Sequence, residues 1–257
     1  MSRLARLQLF VWFLAAITCA WADDGDRTEV FFQRAEQAYQ AARVRYHREP
    51  TNVEAAWQFG RACVDRADVA KHDKERGALA QEGVLACRQA VIDDPKSPYA
   101  HYYLGVALGE LASSRGLGAL RDLREMEEEW TTAVRLDPTI DYGGPNRCLG
   151  LLFTQAPGWP LSVGSRTKAI QNLNEAVRVN PGFPDNLLSL TEAHLKWNEW
   201  SEARGVAAKL PDVMSQARKE LTGPTWESSW IDWDRRWDAI KARLNESSHA
   251  PSPHAAH

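Results

Sequence analysis

One six-residue pattern occurs three times: Ala90-Val91-Ile92-Asp93-Asp94-Pro95, Ala133-Val134-Arg135-Leu136-Asp137-Pro138 and Ala176-Val177-Arg178-Val179-Asn180-Pro181. The prolines lie 43 residues apart in both intervals. A second marker keeps step with the first: Phe59-Gly60, Leu104-Gly105 and Leu149-Gly150, whose glycines are 45 residues apart. Two independent markers with nearly one period mean an array of similar supersecondary units, because a lone hairpin cannot bury its apolar face. Each unit reads as two helices. The first carries the apolar-Gly pair, with Ala55, Phe59, Ala62 and Cys63 on one face, and Leu104, Ala107, Leu108 and Leu111 on the equivalent face. The second ends at Asp/Asn-Pro, because proline cannot continue a helix and biases its predecessor out of the α region. A glycine that recurs inside a helix costs about 1 kcal/mol against alanine, so close backbone approach is its expected cause.

These features resemble the tetratricopeptide repeat: an apolar-Gly pair on helix A, small residues on helix B, and a closing proline. The likeness spans roughly residues 30–211. The period departs from the family's, which is about 34 residues. The extra residues are expected between helix A and helix B, at 65–80, 110–124 and 154–166. HEAT-like repeats have a period of this length but lack the Gly and Pro punctuation. A shorter fourth unit is expected from a helix at 184–196 and a partner at 199–210, with Ala203 and Ala207 as its small positions.

The expected class is an all-α, right-handed helical-hairpin solenoid with long-period repeats and a C-terminal capping helix. Its parts are a signal peptide (1–22), an N-terminal capping helix (23–50), the repeat array (51–215), a Trp-rich capping helix (216–246) and a disordered tail (247–257). In the first cap, Phe31, Ala35, Ala38, Tyr39 and Ala42 are expected to face inward. In the last, Trp226, Trp230, Trp233, Trp237, Ile240 and Leu244 form one stripe at spacings of four and three. Arg235, Arg236, Lys241 and Arg243 balance Glu227, Asp232, Asp234 and Asp238 on its polar face. That balance suits a cap better than a membrane-surface helix, which would be basic there. A partner-docking helix is the sharper alternative.

Arg3 and Arg6, an apolar run at 7–17 and Ala20-Trp21-Ala22 form a secretory signal, expected to be cleaved before Asp23. The run is too short to span a bilayer. Lipid attachment at Cys19 is the rival reading. Cleavage leaves 29 Lys+Arg against 34 acids, a net charge of −5. That balance excludes polybasic nucleic-acid binding. The mature chain is therefore expected outside the cytoplasm, periplasmic or secreted, without a membrane span. Cys63, Cys87 and Cys148 remain. Cys63 and Cys87 could pair in an oxidising compartment, or all three could be small buried apolar residues.

The segments Tyr142-Gly143-Gly144-Pro145-Asn146-Arg147-Cys148-Leu149-Gly150 and Ala156-Pro157-Gly158-Trp159-Pro160-Leu161-Ser162-Val163-Gly164 resemble bacterial extracytoplasmic repeat proteins related to the T component of TRAP transporters. That resemblance implies a pore-bearing accessory to a transporter binding protein, handling a small organic acid or apolar ligand. A similar long-period array occurs in eukaryotic regulators of microtubule dynamics.

No arrangement of side chains reads as an active site. Ser165-Arg166-Thr167-Lys168 matches Ser-x-x-Lys but lacks the companion motifs, and Ser165 suits a helix N-cap. His101 and His194 have no partner legible in the sequence, and the acidic run 125–129 reads as a solvated helix face. His249, His254 and His257 could hold a metal only weakly, so neither metal nor cofactor is expected. The candidate site is the inner groove of the array, lined by helix A side chains. Repeat pitch selects Trp57, Arg61, Tyr99, Tyr102 and Glu110, then Arg147, Leu151 and Gln155, then Leu188, Glu192 and Lys196. Aromatics interspersed with arginine suit an extended peptide, or a ligand with an apolar body and an acidic group. The inserts at 117–120 and 157–161 could narrow the groove or simply lengthen their hairpins. The expected function is a non-catalytic interaction scaffold, with the transport accessory as the alternative.

Overall fold

A computed structural model describes residues 25–115, 120–158 and 160–249. The expected signal peptide, Leu117, Trp159 and the tail histidines His254 and His257 lie outside the described residues. The helices are α1 (Gly25–Arg48), α2 (Val53–Asp68), α3 (Asp73–Asp93), α4 (Pro98–Arg115), α5 (Leu120–Leu136), α6 (Ile140–Gln155), α7 (Arg166–Val179), α8 (Pro184–Lys196), α9 (Trp200–Ala207), α10 (Leu210–Glu220) and α11 (Glu227–His249). Among the described residues there is no strand, only an isolated bridge between Gly158 and Gly164. None of the described helices is long and apolar enough to cross a membrane. The chain divides into two compact units, one of residues up to Ile140 together with 155–165, the other of 141–154 and 166 onward.

The repeated motif closes each second helix in the same way. The backbone N–H of Asp94 donates to the Ala90 carbonyl at 2.9 Å, that of Asp137 to Ala133 at 2.8 Å, and that of Asn180 to Ala176 at 3.0 Å. Asp94 and Asp137 then accept from the backbone N–H two residues on, at 3.0 and 2.8 Å, forming the turn in which the proline sits. The paired glycines meet the demand expected of them. A Cβ on Gly60 would collide with Cys87 Sγ, one on Gly105 would lie 2.7 Å from Cδ1 and Cε2 of Trp130, and one on Gly150 would lie 2.5 Å from Cγ of Leu173. Each of these helix A glycines thus lets helix B of its own hairpin approach. Gly60 faces Cys87 while Cys63 faces Gly83, so α2 and α3 run antiparallel.

In the first unit, α1 lays Phe31 and Tyr39 inward, and Tyr39 packs with Phe59, Cys63 and Ala86. Ala38 is exposed, contrary to expectation, because the helix presents only a narrow stripe, centred on Phe31 and Tyr39, to the packed interior. The extra repeat length is also placed differently from the sequence reading. The expected inserts at 65–80 and 110–124 are mostly helix: α2 and α3 have 16 and 21 residues, and α4 and α5 have 18 and 17. In the third hairpin it forms a loop instead, before an α7 of 14 residues. A helix satisfies its own backbone, so lengthening both partners buries more apolar surface without leaving loop amides unpaired.

In the second unit, α6 begins in a left-handed run: Asp141, Tyr142 and Gly143 have φ of 48°, 59° and 88°. A Cβ on Gly143 would lie 3.1 Å from the Ala176 carbonyl, so glycine is required there on two counts. The tryptophan stripe of α11 covers α8. Trp233 and Ile240 are buried against Phe183, Leu187, Leu188 and Leu195, with Trp226, Trp230, Trp237 and Leu244 packed at the margin. Residues 199–210 do not form one partner helix. Ala203 and Ala207 of α9 share this core with Leu210 and Met214 of the separate α10.

Candidate functional site

The first unit carries an aromatic wall. Trp57 on α2 stacks on Tyr99 of α4 with centroids 4.9 Å apart and planes at 17°, and on Tyr103 at 5.3 Å and 4°. The Arg61 guanidinium lies over the Tyr103 ring at 5.7 Å and reaches Asp65 at 3.7 Å. Tyr99 is 41% exposed, Arg61 is exposed, and Trp57 and Tyr103 are half-buried. Residues four apart on a helix share a face, which puts Tyr103, rather than Tyr102, beside Tyr99. Tyr102 is 4% exposed, and its carbonyl accepts from the Trp130 indole at 3.1 Å. It belongs to the packing between α4 and α5, and the residue that stacks on Trp57 beside Tyr99 is Tyr103. Glu110, further along α4, faces Arg76 at 3.4 Å. Burial and the nearby Asp68 outweigh Arg76 and push its carboxyl up to about 7.

In the second unit the selected residues are mostly spoken for. Arg147 is 6% exposed. It donates to Asp185 at 3.1 Å, to the Asp141 carboxylate at 3.1 Å and to Asn186 Oδ1 at 2.9 Å, and it lies over the Phe183 ring at 5.1 Å. Asn186, fully buried, donates in turn to the carbonyls of Tyr142, Ala176 and Asn180. Together they hold the left-handed start of α6, a polar network in which each member has its partners. Leu188 is wholly buried, and Glu192 is engaged by Arg236 of α11 through two bonds of 2.9 Å. Lys196 donates to the Thr154 carbonyl. Leu151 and Gln155 are half-buried. Arg147, Leu188 and Glu192 are therefore cementing residues and do not line an open groove. Arg236, expected on the polar face of the cap, turns inward for the same reason.

Both histidines have acid partners that the sequence did not reveal. His101 Nδ1 lies 2.5 Å from Glu129 and Nε2 lies 3.0 Å from the Pro95 carbonyl. His194 Nδ1 lies 2.6 Å from Glu199, which also binds Arg166, and burial lowers its pKa. Glu125 binds Arg88 of α3 through both carboxylate oxygens. The acidic run is thus more than a solvated face. Its spacing of four between Glu125 and Glu129 is the signal that two of its acids point the same way.

Cys63 and Cys87 are buried free thiols and Cys148 is half-buried. Burial pushes the Cys63 and Cys87 thiols far up. Ser165 stands one residue before α7, and the Lys168 ammonium lies over the Phe153 ring at 5.0 Å. Among the described residues, no group of three or more His, Cys, Asp or Glu side chains could hold a metal ion.

Residues 24–141, somewhat under half of the chain, match a protein family described as regulator of microtubule dynamics protein 1-3. No curated protein matches the chain. Among solved structures, a thermophilic TPR protein of Thermus thermophilus is similar with a TM-score of 0.58 and 19% identity, over 94% of this chain and all of that one. Crystal structures of MamA are similar with a TM-score of 0.50. One is 21% identical over 76% of this chain and 96% of that chain, and another 19% identical over 84% and 97%. Together with the hairpins, the closing prolines and the interhelical glycines, these likenesses establish the fold: this chain is an all-α array of tetratricopeptide-type helical hairpins.

Proposed function

We propose that the chain is a non-catalytic interaction scaffold acting outside the cytoplasm, and that it holds an extended peptide or protein segment against the Trp57, Tyr99 and Tyr103 wall. The observation that carries this reading is the wall itself. Three aromatic rings are already stacked, with Tyr99 41% exposed and an arginine alongside. Trp, Tyr and Arg are the side chains that most often dominate binding energy. Rings held by their neighbours lose little further freedom on binding, which favours affinity. The TPR-like fold supports a protein partner, since stacked repeats present extended binding surfaces. The extracytoplasmic setting rests on the basic and apolar leader at 1–22.

The test is selection of displayed peptides on the mature chain, followed by affinity measurement on the parent and on Trp57→Ala. Loss of a central aromatic anchor is expected to weaken binding by about thirtyfold, the equivalent of ~2 kcal/mol, with helical circular dichroism unchanged. Peptides that bind Trp57→Ala as tightly as the parent would overturn the assignment of the site. Recovery of the uncleaved chain from the cytoplasm of its host would overturn the setting.

A further inference from the structure

His101 sits in the first turns of α4, between Tyr99 and Tyr103 in sequence but turned to the opposite side, where it is buried. Its ring bridges two other elements, the Pro95 turn through Nε2 and α5 through Nδ1. Both partners are acceptors: a carbonyl cannot donate, and neither can a carboxylate. An imidazole carrying one proton can satisfy only one of them, so the arrangement holds one further proton, shared between His101 and Glu129. Without that proton a nitrogen lone pair would face a carboxylate oxygen at 2.5 Å.

We propose that His101 and Glu129 form a proton-operated latch that ties the start of α4, and with it Tyr99 and Tyr103, to α5 and to the Pro95 turn. Helix ends are the regions of lowest local stability. Apolar contacts already hold this one, with Ala100 buried against Ala56 and Ala90 and Trp57 stacked on Tyr99 and Tyr103, and the latch adds a polar tie to them. Ser97 Oγ accepts from the Ala100 N–H at 3.3 Å, and the Trp130 indole holds the Tyr102 carbonyl. The charged groups around the ring are few. Glu129 on α5 favours the imidazolium and Arg135 on α5 opposes it. On α3, Arg88 is occupied by Glu125, and in the turn Asp94 accepts from the Lys96 N–H. The bond to Glu129 raises the His101 pKa above the ordinary value, against the opposing effect of burial, and the bond to Pro95 adds to it. A histidine whose pKa is higher folded than unfolded stabilises the fold fully below the unfolded value, ~6.5. That contribution is lost as pH rises through the folded value. The latch is closed in mildly acidic solution and slackens on the alkaline side. Its consequence for partner binding rests on the docking role proposed above; the latch is read without any partner.

The experiment is nuclear magnetic resonance of the labelled mature chain across about pH 5 to 9, following the His101 ring nitrogens, the Tyr99 and Tyr103 ring protons, and amide exchange at residues 100–103. At low pH both His101 nitrogens are expected to carry protons, with a midpoint above ~6.5. The tyrosine signals are expected to move with the same midpoint. Protection factors of the first-turn amides are expected to fall about tenfold for each pH unit between the unfolded and folded pKa values. In Glu129→Gln the side-chain amide can donate to a neutral Nδ1, so the latch stays shut and the tyrosine signals lose their pH dependence. In His101→Ala the first turn is loose at every pH. A His101 midpoint at or below the ordinary value would overturn the proposal. So would tyrosine signals that ignore that midpoint, or a pH response kept intact in Glu129→Gln.

Discussion

Replacing Gly105 with alanine isolates the close approach on which the repeat is built. The added Cβ would lie 2.7 Å from two atoms of the Trp130 indole and closer still to its nitrogen. Trp130 is 5% exposed, and its N–H is committed to the Tyr102 carbonyl at 3.1 Å, so the ring cannot swing away without breaking that bond. Overpacking of this kind costs about 1–3 kcal/mol, and loss of the buried hydrogen bond adds about 1 kcal/mol. The better helix propensity of alanine returns about 1 kcal/mol. The net expectation is a loss of about 1–3 kcal/mol, or a fall in Tm of about 2–10 °C. Gly205 is the internal control. It is exposed on α9 with nothing within 4 Å of its would-be Cβ, so alanine there should gain about 0.5–1 kcal/mol. Thermal melts and urea midpoints by circular dichroism, compared at equal slope, read both changes. A Gly105→Ala chain as stable as the parent would refute the close-approach reasoning, and so would equal losses at the two sites.

Burial pushes the Asp185 carboxyl upward, but Arg236 and Arg147 outweigh it and hold the group below the usual carboxylate range. Arg236→Ala takes one of two arginines from Asp185 and the partner from Glu192, and should destabilise the second unit by about 2–3 kcal/mol, less than stranding the charge outright because Arg147 still faces Asp185, whereas Arg235→Ala, which loses an exposed contact to Asp232, should change stability by no more than ~0.5 kcal/mol; equal melts would dismiss the inward network. A thiol-reactive disulfide should label Cys148 in the folded protein and reach Cys63 and Cys87 only in denaturant, because burial keeps those two as thiols rather than thiolates; rapid labelling of all three in the folded protein would show the α2–α3 interface to be open.

The repeat was legible because its determinants are local. A proline ends a helix wherever it stands, and Asp94, Asp137 and Asn180 close the same bond to the alanine four residues before. The tryptophan stripe was legible from spacing alone, since any helix bearing it must cover an apolar surface. The aromatic wall was only half legible. Trp57, Arg61 and Tyr99 stand where repeat pitch puts them, on exposed or half-buried positions of helix A. Tyr102 and Tyr103 are adjacent in sequence, and which one joins the wall depends on where Trp130 packs from the next helix.

From its sequence alone, the chain determined the helical class, the repeat boundaries at the prolines and the glycine contacts, all set by interactions within a few residues or within one hairpin. Tertiary structure decided the rest. It chose which arginines are buried, turning Arg147 and Arg236 inward onto Asp185, a partner 38 residues from one and 51 from the other. It also gave His101 its acid, 28 residues away. The physical reason is that a charged side chain's fate depends on desolvation and on the partner that meets it, and both come from helices packed across the unit rather than from neighbours along the chain.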